Sequence, residues 1–386
     1  MGKNIAFLST YPPRQCGIAT FTEDLVKNLK INYPLNSYKI IAINDKKYNY
    51  NNDVSFNLNQ FDKDDYKKLS DKINNSDIDL IVIEHEYGIY GGAAGEYLLD
   101  FIKNLKVPFV TTLHTTLSKP DEKQKYILTT LGSQSKKVII MAKNSKKILK
   151  NVYNIPENKI CVIHHGVPDI LSENARSLKE KFGYKNRSVI STFGLLSPGK
   201  GIEYAIEAIS KVSIKHPEVL YLILGKTHPC IKEEYGEKYR DSLEEMVEKL
   251  NIKNNIQFVN RYLTKTEIVN YLNLSDIYLT PYLGKEQAVS GTLAYAAGYG
   301  KAIVSTPYRY AREMLKDNRG LLAEFKDSGS LYKAIEFLLD NPSKRKEIEK
   351  NMLKVGITMR WSYVSQKYEN LFLDVIKNSD YSIQAV

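Results

Sequence analysis

Cysteine is scarce in this chain of 386 residues, and long hydrophobic runs are missing. The three cysteines, Cys16, Cys161 and Cys230, are an odd number and lie far apart, which excludes a disulfide framework and a zinc ribbon. No apolar run approaches the roughly 20 residues that a membrane-spanning helix needs. Residues 1–9 have the character of a short apolar strand and not of a signal peptide. These absences predict a cytoplasmic protein.

Acidic residues are fewer than basic ones, and the excess of charge is local. The net charge is +11, and the segment from residue 103 to residue 150 carries eleven lysines against Asp121 and Glu122, a local +9. Such a segment attracts anions. Because neither a recognition motif nor an aromatic stacking pattern accompanies the lysines, we expect no nucleic-acid partner. A solvated surface, a phosphorylated ligand and a peripheral contact with the inner membrane face stay open as alternatives.

The composition is otherwise that of a globular protein. The chain is 43% hydrophobic and 26% charged, with 21 glycines and 13 prolines, which excludes collagen-like and wholly disordered classes. Domains usually hold about 100 to 200 residues, so a chain of this length predicts two.

Short β-branched runs alternate with amphipathic stretches in both halves of the chain, and this alternation is typical of a parallel sheet covered by helices. Between Gly166 and Ser188 the pattern lapses into a polar stretch with Pro168 and Gly183, where we place an interdomain linker. The sequence therefore predicts an α/β protein with two Rossmann-like, doubly wound domains at residues 1–170 and 188–360. It also predicts a final helix within 361–386 that packs back on the first domain.

In sheets of this kind, ligands bind beyond the carboxyl ends of the strands, where helix N-termini present unpaired N–H groups. The first strand is followed by Pro12, Pro13 and then Gly17, which permits a positive φ or a close ligand approach before the helix. This loop is not G-x-G-x-x-G, so a nicotinamide-binding domain is disfavoured.

Two further loops of the first half carry polar side chains. The third predicted strand ends at Glu84 and runs into His85, Glu86 and Tyr87, whose imidazole, carboxylate and phenol groups suit the hydroxyls of an acceptor. The fourth ends at His114, which can hydrogen-bond a substrate hydroxyl.

In the second half, cationic residues follow three predicted strands. Lys200 lies between Gly199 and Gly201 at a helix start, which suits a diphosphate. Because Gly201 follows the lysine where a P-loop has Ser or Thr, a P-loop is rejected. The next two strands add three more candidates for the same ligand, Lys226, His228 and Arg261.

The segment KEQAVSGTLAYAAG carries the most information. Ser290 is a favoured N-cap, and Gly291 and Thr292 expose backbone N–H groups at the start of a helix of small residues. Glu286 lies just upstream. We expect a phosphate above 290–292 and a sugar hydroxyl at Glu286.

The chain combines two doubly wound halves with Gly17 and with the segments TLHT, PGKG, GKTHP and E-x-x-x-S-G-T-L-A-Y-A. In this combination it resembles the GT-B glycosyltransferases of family 4, which are retaining and depend on nucleotide sugars. The resemblance implies an acceptor in the first domain and a nucleotide-sugar donor in the second. It implies that Gly17 lies near donor phosphate and acceptor, His114 near the transferred sugar, Lys200 at the diphosphate and Glu286 at the sugar.

The chain departs from the family pattern at two positions. The family's usual arginine in G-R-x-x-x-x-K-G is replaced by Leu195, so Arg261 or Lys226 would have to supply a second cation. The second glutamate of E-x7-E, which normally holds the ribose, is replaced by Leu293 or Ala294, depending on the register.

We therefore predict a retaining glycosyltransferase that moves a hexose from a nucleoside-diphosphate sugar to a hydroxyl acceptor. His114, Glu286 and Lys200 are its candidate catalytic residues, and catalysis is mainly electrostatic. We expect no metal or other cofactor, because cations and helix N-termini can replace a metal at the diphosphate. A nucleotide-sugar epimerase, a sugar phosphorylase and a catalytically silent sugar-nucleotide-binding module are the alternatives.

Overall fold

The computed structural model describes residues 2–50 and 52–384, and side chains as far as residue 379. These residues form two compact units. Among the described residues, the first unit comprises those up to Gly166 and those from Trp361 onward, and the second comprises Val167–Arg360. Each contains one wholly parallel sheet with helices between its strands, so the predicted α/β fold class with two Rossmann-like sheets is confirmed.

The sheet of the first unit has seven strands in the order β3-β2-β1-β4-β5-β6-β7. Its central strands are buried on both faces, because the helices on either side cover their Ile, Val and Leu side chains. The strands are β1 (Asn4–Ser9), β2 (Ser37–Asn44), β3 (Val54–Asn59), β4 (Leu80–His85), β5 (Phe109–Leu113), β6 (Val138–Ile140) and β7 (Ile160–Val162).

Five helices connect these strands. Capping residues fix several of their starts: Asp121 and Gln124 form a reciprocal capping box, and Asp62 caps the second helix with its carboxylate. The helices are α1 (Gly17–Asn32), α2 (Lys63–Asn74), α3 (Tyr97–Lys103), α4 (Glu122–Gln134) and α5 (Ser145–Tyr153).

The second unit has a sheet of six strands in the order β10-β9-β8-β11-β12-β13. Its strands are β8 (Ser188–Phe193), β9 (Val219–Leu224), β10 (Ile256–Val259), β11 (Ile277–Thr280), β12 (Ile303–Ser305) and β13 (Leu321–Leu322). Its helices are α6 (Ala175–Lys181), α7 (Ile202–Lys215), α8 (Pro229–Tyr235), α9 (Lys238–Lys249), α10 (Lys265–Leu274), α11 (Gly291–Gly298), α12 (Arg309–Met314), α13 (Ser328–Asp340) and α14 (Pro342–Gly356).

The segment in which the sequence suggested a linker contains structure. Helix α6 buries Leu178 completely, and residues 167–187 belong to the second unit. The chain returns to the first unit at Trp361, where helix α15 (Trp361–Gln384) begins. This helix packs against α1, and buries Val364, Tyr368 and Phe372. Among the described residues, no helix combines the length and the hydrophobicity needed to cross a membrane.

Candidate active site

A connected group of side chains lies at the carboxyl edge of the second unit's sheet. The ammonium group of Lys200 lies 3.9 Å from the centre of the Tyr282 ring, a cation–π contact. The Tyr282 hydroxyl is 2.6 Å from Oγ1 of Thr292, which lies 3.2 Å from Oγ of Ser290. The loop after β8 and the loop after β11 therefore meet, and they bring Lys200, Ser290 and Thr292 together.

Two glycines allow the loops at this edge of the sheet to pack closely, Gly201 for those after β8 and β11 and Gly225 for those after β8 and β9. Gly201 has a φ of +60°, and a Cβ there would lie 2.3 Å from the carbonyl oxygen of Pro281. Gly225 has a φ of +136°, and a Cβ there would lie 2.1 Å from the carbonyl oxygen of Gly194. Both conformations favour glycine, so the loop contacts depend on these residues.

The N-terminus of α11 completes this group. Ser290 caps the helix, its hydroxyl accepting a hydrogen bond from the N–H of Leu293 at 3.3 Å. The side chains of Leu293 and Ala294 are fully buried, so in either register the position of the family's second glutamate is an apolar core residue. The polar side chains at this helix start include the hydroxyls of Ser290, Thr292 and Tyr282.

His228 lies close to Lys200. Burial, and then the positive charge of Lys200, lower the pKa of the His228 imidazole, which favours its neutral form beside the lysine. Its Nδ1 is buried and has no hydrogen-bond partner within the described part of the chain. The N–H of His228 donates to the carbonyl of Leu196 at 2.9 Å, which joins the loops after β8 and β9.

Arg261 and Lys226, the other two predicted cations of this unit, have aromatic or acidic neighbours. The Arg261 guanidinium lies 2.6 Å from the Glu267 carboxylate, and this ion pair is half exposed. The Lys226 ammonium lies 5.9 Å from the centre of the Tyr262 ring. Glu267 already neutralises the charge of Arg261. The role of Arg261 at a diphosphate therefore stays a prediction.

Glu286 has a cationic neighbour that the sequence analysis missed. Arg309, the first residue of α12, places Nη1 at 3.7 Å from Oε2 of Glu286, and its side chain is 13% exposed while that of Glu286 is 61% exposed. The N–H of Arg309 also donates to the carbonyl of Lys285 at 3.0 Å. The sequence contains a pattern that could have identified Arg309, because this residue follows a buried strand at the start of a helix, as Lys200 and Ser290 do.

Gly17 begins α1 in the first unit, directly after the N-cap Cys16. Its backbone does not adopt a positive φ, so of the two predicted alternatives the close approach of a ligand is the one that stays a prediction. A Cβ at Gly17 would meet no atom within 4 Å, and the open space there fits the expected close approach of a ligand.

His114 lies at the end of β5, beside the end of β4. Its Nε2 is 2.8 Å from Oε2 of Glu84, whose side chain is fully buried. The His114 imidazole is 11% exposed and meets the ring of Phe21 edge-on at 5.0 Å between centroids. The predicted sugar-binding histidine therefore has a carboxylate partner that the sequence analysis did not assign to it.

The structure corrects the expectation for His85. Its side chain is fully buried against the rings of Tyr87 and Tyr90, and burial lowers the pKa of the imidazole to about 3. A neutral, enclosed His85 is a core residue and is not offered to an acceptor. The Tyr87 ring is also buried, and its hydroxyl donates to the carbonyl of Gln124. Glu86 is partly exposed and caps the short turn at Tyr87.

No group of three or more His, Cys, Asp or Glu residues that could hold a metal ion occurs among residues 2–50 and 52–384. Asp77 and Asp79 precede β4, at the opposite end of the sheet from the loops described above.

Two family models match separate parts of the chain. Residues 174–355 match the model of glycosyl transferases group 1, and residues 45–169 match that of glycosyltransferase family 4. A glycosyltransferase of Methanocaldococcus jannaschii, MJ1607, is 23% identical over 284 residues, which is 69% of this chain and 69% of the relative.

Solved structures share the fold over nearly the whole chain. A glycosyltransferase from Rickettsia africae has a TM-score of 0.75 at 20% identity and covers 98% of this chain and 99% of its own. A sucrose-phosphate synthase from Thermosynechococcus elongatus has a TM-score of 0.77 at 14% identity, with 97% and 100% covered. The protein has the GT-B fold. Both units match glycosyltransferase models, the second that of group 1 and the first that of family 4, so this chain is a glycosyltransferase.

Proposed function

We propose that this glycosyltransferase moves a hexose from a nucleoside-diphosphate sugar to a hydroxyl of a sugar, glycolipid or small metabolite, with retention of anomeric configuration. The observation that carries the proposal is the contact between Lys200 and the α11 loop through Tyr282 and Thr292. A cation, a helix N-terminus and hydroxyl donors in one place form a site for a diphosphate.

The reaction breaks the bond between the anomeric carbon and the diphosphate oxygen. Negative charge grows on the departing phosphate, so groups that favour this charge lower the barrier. Lys200 supplies a full positive charge, and the N–H groups at Gly291 and Thr292 supply the positive end of the helix. Because these groups are held in place before the donor binds, no reorganisation is needed during the reaction.

The proposal assigns candidate contacts to each unit by itself. Glu286 accepts hydrogen bonds from sugar hydroxyls, and Arg309 restrains its otherwise exposed carboxylate. His114 contributes an imidazole nitrogen to the transferred sugar. Gly17 leaves space for the donor phosphate or the acceptor.

The choice of the first donor to test comes from proteins of the same fold. An Anabaena protein, Alr3699/HepE, has a structure in complex with UDP and glucose, with a TM-score of 0.70 at 15% identity. A trehalose-6-phosphate structure from Escherichia coli contains UDP-2-fluoro glucose. We therefore propose UDP-glucose as the first donor, with other nucleotides and sugars beside it.

The acceptor side of the proposal uses Glu86 and the surface around it. The helices α4 and α5 follow in the chain and present exposed lysines, among them Lys123, Lys125 and Lys147. These positive charges favour a phosphorylated acceptor or a peripheral contact with an anionic membrane surface.

The test is thermal unfolding of the full chain with UDP, GDP, ADP and their glucose, galactose and mannose conjugates. A ligand at 100 times its Kd raises the free energy of unfolding by about 2.7 kcal/mol, which a shift in Tm detects. We expect one nucleotide to stabilise more than the others. The anomeric configuration of a product made with the preferred donor is then read by proton NMR. Absence of any nucleotide-dependent shift contradicts the proposal, and a product of inverted configuration contradicts retention.

A further inference from the structure

The carboxylate of Glu84 lies beneath His114 and has one hydrogen-bond partner in the described part of the chain. Glu84 is the penultimate residue of β4 and is fully buried. Its Oε2 is 2.8 Å from Nε2 of His114, whereas its Oε1 has no partner within residues 2–50 and 52–384. A carboxylate buried in this way costs stability, so its presence calls for a role.

The register of the sheet produces this pair. Strands β4 and β5 are neighbours, with Glu84 opposite Thr112 and His85 opposite Leu113. The N–H of His114 donates to the carbonyl of His85 at 3.0 Å, which continues the ladder by one residue and fixes the backbone of His114. Its ring is then held between the Glu84 carboxylate and the Phe21 ring.

Other polar groups near Glu84 are engaged elsewhere. The Tyr90 hydroxyl donates to the backbone carbonyl of Glu84, at 2.8 Å, and not to its carboxylate. The Tyr368 hydroxyl lies 3.4 Å from Oγ1 of Thr112. The hydrogen bond with His114 is therefore the one that the Glu84 carboxylate makes within the described residues.

An ionised carboxylate can only accept hydrogen bonds. Opposite an ionised Glu84, Nε2 of His114 carries the hydrogen, and in the neutral imidazole the lone pair lies on Nδ1. We propose that Glu84 is a positioning residue that holds His114 in the Nε2–H tautomer, so that Nδ1 is presented as the acceptor of a hydrogen bond from a substrate hydroxyl. The part concerning the substrate rests on the proposed function.

The tautomer is measured directly by nitrogen-15 NMR of the full chain labelled at histidine. The chain has six histidines, and the variant His114→Gln identifies the signals of this one. We expect the Nε2–H tautomer in the wild type and in Glu84→Gln, whose amide oxygen still accepts the hydrogen bond. In Glu84→Leu, which removes the acceptor, we expect a mixture of tautomers. A wild-type His114 in the Nδ1–H tautomer, or an unchanged tautomer in Glu84→Leu, overturns the proposal.

Turnover of the preferred nucleotide sugar tests the functional part. A neutral hydrogen bond contributes about 0.5 to 1.5 kcal/mol, so Glu84→Leu should lower kcat by roughly 2- to 12-fold with little change in KM. Glu84→Gln should restore most of the loss, and the double variant with His114→Ala should be no slower than His114→Ala alone. Additive losses in the double variant overturn the proposal, because they mean that Glu84 does not act through His114.

The two proposals fail in different ways. If the proposed function is wrong, the wild-type chain turns over none of the nucleotide sugars, and the tautomer of His114 is unaffected. If the assignment of Glu84 is wrong, the wild type turns over its donor, and the NMR signals of His114 or the rate of Glu84→Leu contradict the expectation.

Discussion

Replacing Lys200 by methionine separates its contribution to donor binding from its contribution to the fold. Methionine keeps the aliphatic part of the side chain over the Tyr282 ring and removes the charge, whose nitrogen lies 3.9 Å from the ring centre. The lost cation–π contact is worth roughly 0.5 to 2 kcal/mol. A sulfur–aromatic contact of about 0.3 to 1.5 kcal/mol replaces part of it. The free energy of unfolding should therefore fall by about 1 kcal/mol or less.

The effect on donor binding should be larger. A hydrogen bond from a charged group contributes about 1.5 to 3 kcal/mol, which corresponds to a roughly 10- to 150-fold change in Kd. Water can fill the place of the ammonium group in the variant, but it brings no charge to the diphosphate. We therefore expect Lys200→Met to bind the preferred nucleoside diphosphate about 10-fold or more weakly.

Isothermal titration with the nucleoside diphosphate measures this loss, and urea unfolding measures the stability of the same samples. Lys211→Met is the matched control, because Lys211 lies on α7 and is exposed. It should bind like the wild type. Equal affinities of Lys200→Met and Lys211→Met would refute the assignment of Lys200 to the diphosphate.

Three further changes have defined outcomes. Gly225→Ala should lower the free energy of unfolding by about 2 to 5 kcal/mol in urea titrations, because a Cβ would lie 2.1 Å from the Gly194 carbonyl at a φ of +136°. Arg309→Ala should weaken binding of the nucleotide sugar but not of the free nucleotide in titration calorimetry, since Arg309 contacts Glu286, the proposed sugar ligand. His85→Leu should reduce the loss of stability between pH 6.5 and pH 4, measured by urea unfolding across that range.

The sign of the pH effect follows from proton binding. Burial lowers the pKa of His85 from 6.5 to about 3, so the unfolded chain takes up a proton that the folded chain excludes in this interval. The stability is complete above pH 6.5 and is lost as the pH falls towards 3. An equal slope in His85→Leu would show that other groups carry the acid sensitivity.

Control variants distinguish the effects of Gly225→Ala and Arg309→Ala from a general loss of stability or binding. Gly199→Ala is matched to Gly225→Ala, because a Cβ at Gly199 meets no atom within 4 Å and its φ is not positive. It should unfold close to the wild type, and a large loss there would contradict the steric reasoning. For Arg309→Ala, an equal loss of affinity for nucleotide and nucleotide sugar would place Arg309 at the phosphates instead.

The order of strands and loops could be predicted from the sequence alone. Buried parallel strands need apolar side chains on both faces. Apolar runs such as IVI in β4 and VLYLIL in β9 can therefore be recognised as strands from the sequence. The loops after the apolar runs of β8 and β11 then contain Lys200 and Ser290 whatever the details of packing. Strand β3 was missed, because it is partly exposed and reads VSFNLN.

Contacts between segments far apart in the chain were decided by the tertiary structure. Glu84 meets His114 because β4 lies beside β5 in one register, and Arg309 meets Glu286 because the start of α12 contacts the loop after β11. Nothing in the local sequence distinguishes His85, a core residue, from the exposed histidine expected at a strand end. Burial is a property of what packs over a residue, and for His85 that is the pair of rings of Tyr87 and Tyr90, placed there by the turn that follows β4.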